Sequence, residues 1–447
     1  MVGRTTDEHL TGAHRWLGLS TRAWLLLILV LAVGFRLLFT FGYVRGVLGD
    51  LPEDQTNDGY DALAEHLLAG EGYRIHLSHP PTLERPPAYP LLIYLVFKAA
   101  GMNYAIVQII HALLGAVGAY FLYRLGHWAV GERTGLLAAA FFAAYPNAIQ
   151  YSANICSENL YFPLVAALAY FLCRAISQRS MAAATAAGLA LGLANLTRGT
   201  LLPFPILLVP GLFLLKETRL AWRQWIPRLA VMLVAAACVM TPWIIRNHRL
   251  TGAIVPVSTW SWAPFYHGQQ CSRHMLTGEN LARIDKEASR ERHHIVVERL
   301  YGGDRTRAYE SPHDYIRHEH VARDLVLSGI REDPWGTLGH TMIGVPLSWY
   351  QTLRAEKRIY SAIIHLPVLL LTVLGAIRLW RGFRERFARI YPAILLILFF
   401  NALTALVFPY IRYMVPAVAV AFVLAAHEAT AWWSTLADRI KNRSAPA

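Results

Sequence analysis

Residues 23–44 read AWLLLILVLAVGFRLLFTFGYV, long enough for a helix to cross a hydrocarbon core, which takes about 20 apolar residues. Nine further apolar runs follow: 104–123, 134–149, 159–173, 181–196, 201–215, 227–245, 361–377, 390–409 and 413–433. Several are short for a span, so flanking residues must be recruited. Only 16% of the 447 residues are charged and 55% are hydrophobic, whereas soluble domains carry about 25% charged residues. The reading is an all-α polytopic membrane protein. About 10–12 transmembrane helices are expected, with juxtamembrane helices and a mostly helical outer insert.

The net charge of +13 raises nucleic acid as a partner, but its distribution argues against one. With a cytoplasmic N-terminus, the short inner segments 1–22, 124–133, 174–180, 216–228, 378–389 and 434–447 hold 19 Lys plus Arg against 6 Asp plus Glu. Such a bias on short loops marks the cytoplasmic side. The charge is therefore topology, in a multi-pass protein of the cytoplasmic (inner) membrane. The first run lacks a small-residue cleavage site and should remain as an anchor. Residues 89–100 are apolar but too short to cross, and read as a re-entrant or interfacial helix. Cys156, near an outer helix end, and Cys271, in the large loop, leave a disulfide open. No Cys/His zinc spacing appears.

Three parts follow. Residues 1–246 form a helical membrane body that includes an outer loop, 45–88. Residues 247–360 form an extracytoplasmic insert, and 361–447 form C-terminal transmembrane helices with a short cytoplasmic tail. The insert holds nine of the eighteen histidines. Val296, Val297 and Leu300, then Val321, Leu325 and Ile330, recur at helical spacing and predict amphipathic helices lying over the body.

The outer loop is where chemistry is concentrated. Segment 50–90, DLPEDQTNDGYDALAEHLLAGEGYRIHLSHPPTLERPPAYP, is far too polar for a tether. Loop 45–88 carries eight carboxylates against three arginines. Asp58 precedes a helical pattern (Ala62, Leu63, His66, Leu67) and is placed either as its N-cap or as a carboxylate facing a cavity just outside the membrane; a cap would also fix the carboxylate's direction. Glu158, in SENLYFPL, starts an inward-running helix; Ser157 offers a cap, and a carboxylate at a membrane boundary is costly enough to suspect a site. Arg198, Arg246 and Arg412 each end an apolar run on this same side, and Arg85 lies beside the short helix 89–100. Any one of them alone snorkels to lipid headgroups. Four on the leaflet that topology disfavours for positive charge suggest a phosphate-bearing lipid, which the guanidinium fork suits. No phosphate-binding Gly-rich loop, dinucleotide fingerprint or partnered Ser or Cys nucleophile is present.

These residues resemble GT-C-fold glycosyltransferases that use polyprenyl-phosphate sugars, nearest the protein O-mannosyltransferase and aminoarabinose lipid A transferase group. The resemblance rests on Asp58 followed by Tyr60, Ala64, Leu68, Gly70, Gly72 and Tyr73, then RPPAYPLL from Arg85. YPNAIQYSANICSENLYFPL matches at Pro146, Ser157 and Glu158, and NLTRGTLLPFP matches with Gly199 where Pro is common. PWIIRNHRLTGAIVPVST and YIRYMVPAVAVAFVLAA complete the order. The likeness implies a polyprenyl-phosphate-linked sugar donor, an outward-facing site and a carboxylate base in the first outer loop. By motif that base is Asp58, with Asp50 as the alternative; Tyr60, Arg85, Glu158, Arg198, Arg246 and Arg412 are the substrate-binding candidates. No cofactor is implied, and with no acidic pair at 58–59 a divalent metal is left open. The likeness also implies a glycan, lipid or protein hydroxyl as the acceptor. The competing reading is a transporter or lipid flippase, in which Asp58 and Glu158 couple protons. Transporters place key charges near the bilayer midplane and often repeat their halves, whereas these charges gather at one face.

Overall fold

The computed structural model describes residues 20–47, 58–275, 279–304, 307 and 309–443. Among these residues the chain is helical throughout and has no strand. The first apolar run is α1 (Thr21–Leu37), started by Ser20, whose Oγ accepts from the Ala23 N–H, and continued by π-helical turns over Leu38–Arg45. The acidic loop carries α2 (Tyr60–Leu68), and α3 (Ala88–Ala100) follows Pro87. Asn103 caps α4 (Tyr104–Ala129) through its Oδ1. The expected span 134–149 is instead two helices, α5 (Glu132–Ala143) and α6 (Pro146–Ala153). Pro146 is the cause: a proline excludes the residue before it from helical geometry, and Tyr145 is extended at ψ 113°. The body is completed by α7 (Glu158–Ser177), α8 (Met181–Thr197), α9 (Phe204–Leu214), α10 (Lys216–Leu220) and α11 (Trp222–Thr251).

The insert forms α12 (Trp262–Arg273), α13 (Leu281–Tyr301), α14 (Pro312–Glu332) and α15 (Pro334–Leu347). The apolar positions expected on amphipathic helices fall on α13 and α14, where Val296, Val297 and Val321 are buried. Leu83, Val255 and Tyr315 cluster together and bind the insert to the acidic loop. The tail is α16 (Ala355–Gly382), α17 (Arg384–Val407) and α18 (Ile411–Arg443).

Seven of these helices are long and apolar enough to cross a membrane, and α3, α8 and α9 are shorter apolar helices. The chain is a multi-pass membrane protein. Its centre is built from α7 and α18. In their most apolar stretches 72% and 83% of residues are buried, against 22% for α1, α11 and α16. Small residues permit this enclosure: a Cβ on Gly375 of α16 would stand 2.2 Å from the Leu424 carbonyl of α18. Inside the body, Arg36 of α1 is fully buried and donates to the carbonyls of Ala32, Phe142 and Ala143. Gly115 makes room for it, since a Cβ there would lie 2.3 Å from its Nε. The cysteine pairing left open by the sequence does not occur: Cys156 and Cys271 are separate, buried free thiols.

Candidate active site

The two central helices begin beside the acidic loop. α7 begins with Glu158 and α18 begins with Ile411 and Arg412, so a carboxylate and a guanidinium arrive on the two most enclosed elements. Asp58 is brought to them by a tight turn. Gly59 follows it at φ +72°, a left-handed conformation that glycine adopts without steric cost, and a Cβ there would press on Ile75 at 3.1 Å. Gly59, not Asp58, occupies the N-cap position of α2, and no side chain caps that helix. The cap left open for Asp58 by the sequence is therefore absent, and its carboxylate is turned toward α18.

There Asp58 Oδ2 accepts from Arg412 Nη2 at 2.7 Å. The Nε of the same guanidinium bonds Glu158 Oε1, and Arg198 Nη1 reaches that oxygen at 2.7 Å. A continuous chain results: Asp58, Arg412, Glu158, Arg198. Glu158 is almost wholly enclosed, its side chain 2% exposed, whereas Asp58 keeps 31% of its side chain open. An enclosed carboxylate is tolerable only when paired, and two guanidiniums meet this one. Burial opposes the charge on Arg198, but the Glu158 carboxylate more than offsets it and holds the guanidinium's pKa above its ordinary value.

Ser157 also departs from its expected role. It makes no capping bond; its Oγ accepts from Tyr60 OH at 3.2 Å and from Arg198 Nη1 at 3.1 Å. Burial raises the pKa of Tyr60, so it stays a protonated donor. Its ring packs edge-on against Tyr89 of α3 at 5.1 Å. Arg85 closes the loop side: its Nε donates to the Asp58 carbonyl at 3.0 Å, and its guanidinium lies over Tyr60 at 5.7 Å and Trp260 at 5.5 Å. Tyr73 OH donates to the carbonyls of Arg85 and Pro86, fixing the Arg-Pro-Pro turn.

Asp58, Tyr60, Arg85, Glu158, Arg198 and Arg412 thus form one site. Arg246 does not join the chain of ion pairs. It stacks on Trp243 at 4.5 Å and Tyr73 at 5.3 Å and donates to Thr82 O, acting on the underside of the loop. Asp50 lies outside the described residues. Sequence reasoning missed Ser157 as an acceptor, Tyr413, over whose ring Arg198 sits at 5.8 Å, and Trp260 from the insert. The RY pair at 412–413 was a usable signal for Tyr413; nothing local marks Trp260. Among the described residues no three His, Cys, Asp or Glu side chains converge in a way that would hold a metal ion, and both site carboxylates are engaged by arginines.

A family model described as dolichyl-phosphate-mannose-protein mannosyltransferase matches residues 84–245. That stretch contains Arg85, Glu158 and Arg198; Asp58 and Arg412 lie beyond it. Among curated protein sequences, none matches the chain significantly. Among solved structures, the apo oligosaccharyltransferase of Archaeoglobus fulgidus is similar with a TM-score of 0.59 and 16% identity, covering 96% of this chain and 53% of that one. AglB, the oligosaccharyltransferase of the same organism in complex with an inhibitory peptide and a dolichol-phosphate, gives 0.54 and 13% over 95% and 52%. ArnT from Cupriavidus metallidurans, bound to undecaprenyl phosphate, gives 0.44 and 15% over 91% and 78%. The fold is that of the GT-C glycosyltransferases, and the chain spans about half the length of the oligosaccharyltransferase chains it matches.

Proposed function

We propose that this protein is a membrane glycosyltransferase that moves a sugar from a polyprenyl-phosphate donor to a hydroxyl of an extracytoplasmic glycan, lipid or protein acceptor. The observation that carries this reading is the Asp58–Arg412–Glu158–Arg198 chain, drawn from four separated segments to one end of the bundle. The fold, the dolichol-phosphate found with AglB and the donor in the matching family's description support it.

Asp58 acts as general base. Arg412 holds Oδ2, which leaves Oδ1 to accept the proton of the acceptor hydroxyl. The oxygen then attacks the anomeric carbon from the face opposite the phosphate, the bond from that carbon to the phosphate oxygen breaks, and the electron pair leaves with the lipid phosphate. Direct displacement inverts the anomeric centre. Charge accumulates on the departing phosphate, where preorganised guanidiniums are most effective. Arg198 and Arg412 are paired with Glu158 and Asp58, and Glu84 lies within the field of Arg85. A sugar phosphodiester carries one negative charge, which guanidinium donors suit. Arg85 is the guanidinium with no carboxylate contact in the site: it bonds a backbone carbonyl and stacks on aromatic rings. The protein works in the cytoplasmic membrane with this site on the extracytoplasmic face.

Mass spectrometry of lipid-linked sugars and envelope glycans, with and without the gene, tests the reading. Loss of the gene should raise one polyprenyl-phosphate sugar and remove the corresponding sugar from a glycan. Both pools unchanged would overturn it.

A further inference from the structure

At the opposite end of the bundle the helix ends line an open pocket of about 390 Å³, within the range of small-ligand sites. Its lining includes Gly131 and Arg133 at the start of α5, Arg378 of α16, Arg386 of α17, and His427 and Ser434 of α18. His427 lies fifteen residues beyond Arg412 on one helix, about 23 Å along its axis at 1.5 Å per residue. The cavity therefore belongs to the other membrane surface, and it stands whether or not the transfer reaction is right.

The chemistry of the lining selects an anion. Three guanidiniums border it. Arg378 is locked onto Glu428 by two hydrogen bonds of 2.6 and 2.8 Å, which offset its charge and fix the direction of its remaining N–H donors. Arg386 rests over the Phe383 ring at 5.0 Å, with no carboxylate partner among the described residues. Two helices, α5 and α17, begin at the cavity, and neither N-cap side chain bonds the first-turn amides. Uncapped helix starts offer N–H donors and a positive dipole end. His427 is 7% exposed, lines the space, and its buried Nε2 has no hydrogen-bond partner. A buried polar nitrogen without a partner is costly, and a ligand oxygen would satisfy it. The lining also holds one carboxylate, Glu132, which accepts from the Thr21 hydroxyl and keeps its charge, so with Glu428 two carboxylates stand against three guanidiniums.

The surroundings place the cavity at headgroup level. Trp380, Phe383, Trp432 and Trp433 are all exposed around this end, and aromatic belts mark membrane–water interfaces.

We propose that this cavity binds a phosphate-bearing ligand, the headgroup of an anionic lipid of the leaflet opposite the active site or a free phosphate. The test uses the purified full chain in detergent, titrated with short-chain phosphatidylglycerol, short-chain phosphatidylcholine or inorganic phosphate, with binding read from the thermal unfolding midpoint. Phosphatidylglycerol should raise the midpoint saturably and phosphatidylcholine should not. Arg386→Gln should weaken the apparent affinity about tenfold, the usual effect of losing a charge-assisted contact. Ser434→Glu, at an exposed rim position, keeps every arginine, brings in an opposing charge and should weaken it similarly. Arg85→Gln, at the far end, should leave this binding unchanged. A saturable response to inorganic phosphate at equal affinity, lost in the same two variants, supports the site and assigns it to a free anion. Equal responses to the two lipids, or wild-type affinity in both Arg386→Gln and Ser434→Glu, would overturn the proposal.

Discussion

Asp58→Asn separates chemistry from architecture at the candidate site. The substitution removes a proton acceptor but leaves an oxygen that can still receive the Arg412 N–H. Arg412 keeps its bond to Glu158, so no guanidinium is orphaned. The lost ion pair is partly open to solvent, with side-chain exposures of 31% and 28%, so its contribution to stability is about 1 kcal/mol or less. Turnover should fall by about 10² to 10⁴, the usual contribution of general acid–base catalysis, which is roughly 3–5 kcal/mol of barrier. Asp58→Ala should match Asp58→Asn in turnover and cost only about 0.3 kcal/mol more stability, through the half-open Arg412 contact, because Gly59 holds the N-cap position and no cap is lost. If Asp58 were a cap, Ala would instead cost about 1 kcal/mol more than Asn. The assay is initial-rate transfer in nanodiscs carrying a polyprenyl-phosphate sugar, with thermal unfolding of each variant beside it. An Asp58→Asn protein within about fivefold of wild-type turnover, well short of the range for a lost base, would refute the reasoning and move the search to Asp50.

Glu158→Gln should destabilise the protein by about 3–5 kcal/mol, because it leaves Arg198 and Arg412 facing each other in an enclosed site; the unfolding midpoint measures it. Arg412→Lys should weaken donor binding by about one to two decades through loss of the fork, whereas Arg246→Lys, which touches the loop through Trp243 and Tyr73, should leave donor affinity near wild type in the same titration. Single cysteines at Ser78 and Glu310, both exposed, should both react with an impermeant maleimide in spheroplasts if the acidic loop and insert share the outer face. Glu319 of the insert, which accepts from the Ser261 and Trp262 amides, has its pKa pushed up by burial to about 7. A raised folded-state value means stability that is complete below the ordinary glutamate range and is lost as pH rises through about 7. The thermal unfolding midpoint should therefore fall as pH rises over that window, and Glu319→Gln should flatten that fall.

What the chain discloses in one dimension is the height of each residue across the membrane; what it withholds is the angle about each helix. All ten apolar runs became helices or, at Pro146, a helix pair, because hydropathy and proline act locally. Asp58, Glu158, Arg198 and Arg412 were legible as charges stranded at one level. Their pairing was not, since the bonds to Arg412 join residues 354 and 254 positions apart. Arg246 exposes the difference most clearly. It ends an apolar run on the same side as Arg198 and Arg412, yet the rotation of α11 turns it to Trp243 and Tyr73. Of the two readings open for Asp58, the cap fails for the converse reason. The local rule that an acidic residue before a helix caps it yields when the next residue is a glycine at φ +72° and a guanidinium waits on another helix. The same blindness to angle hid Trp260, which the insert carries to Arg85 from far along the chain. A hydropathy profile can therefore nominate a candidate membrane site by level, but the set of side chains that touch is decided by helix rotation, which the packing of the helices against one another imposes.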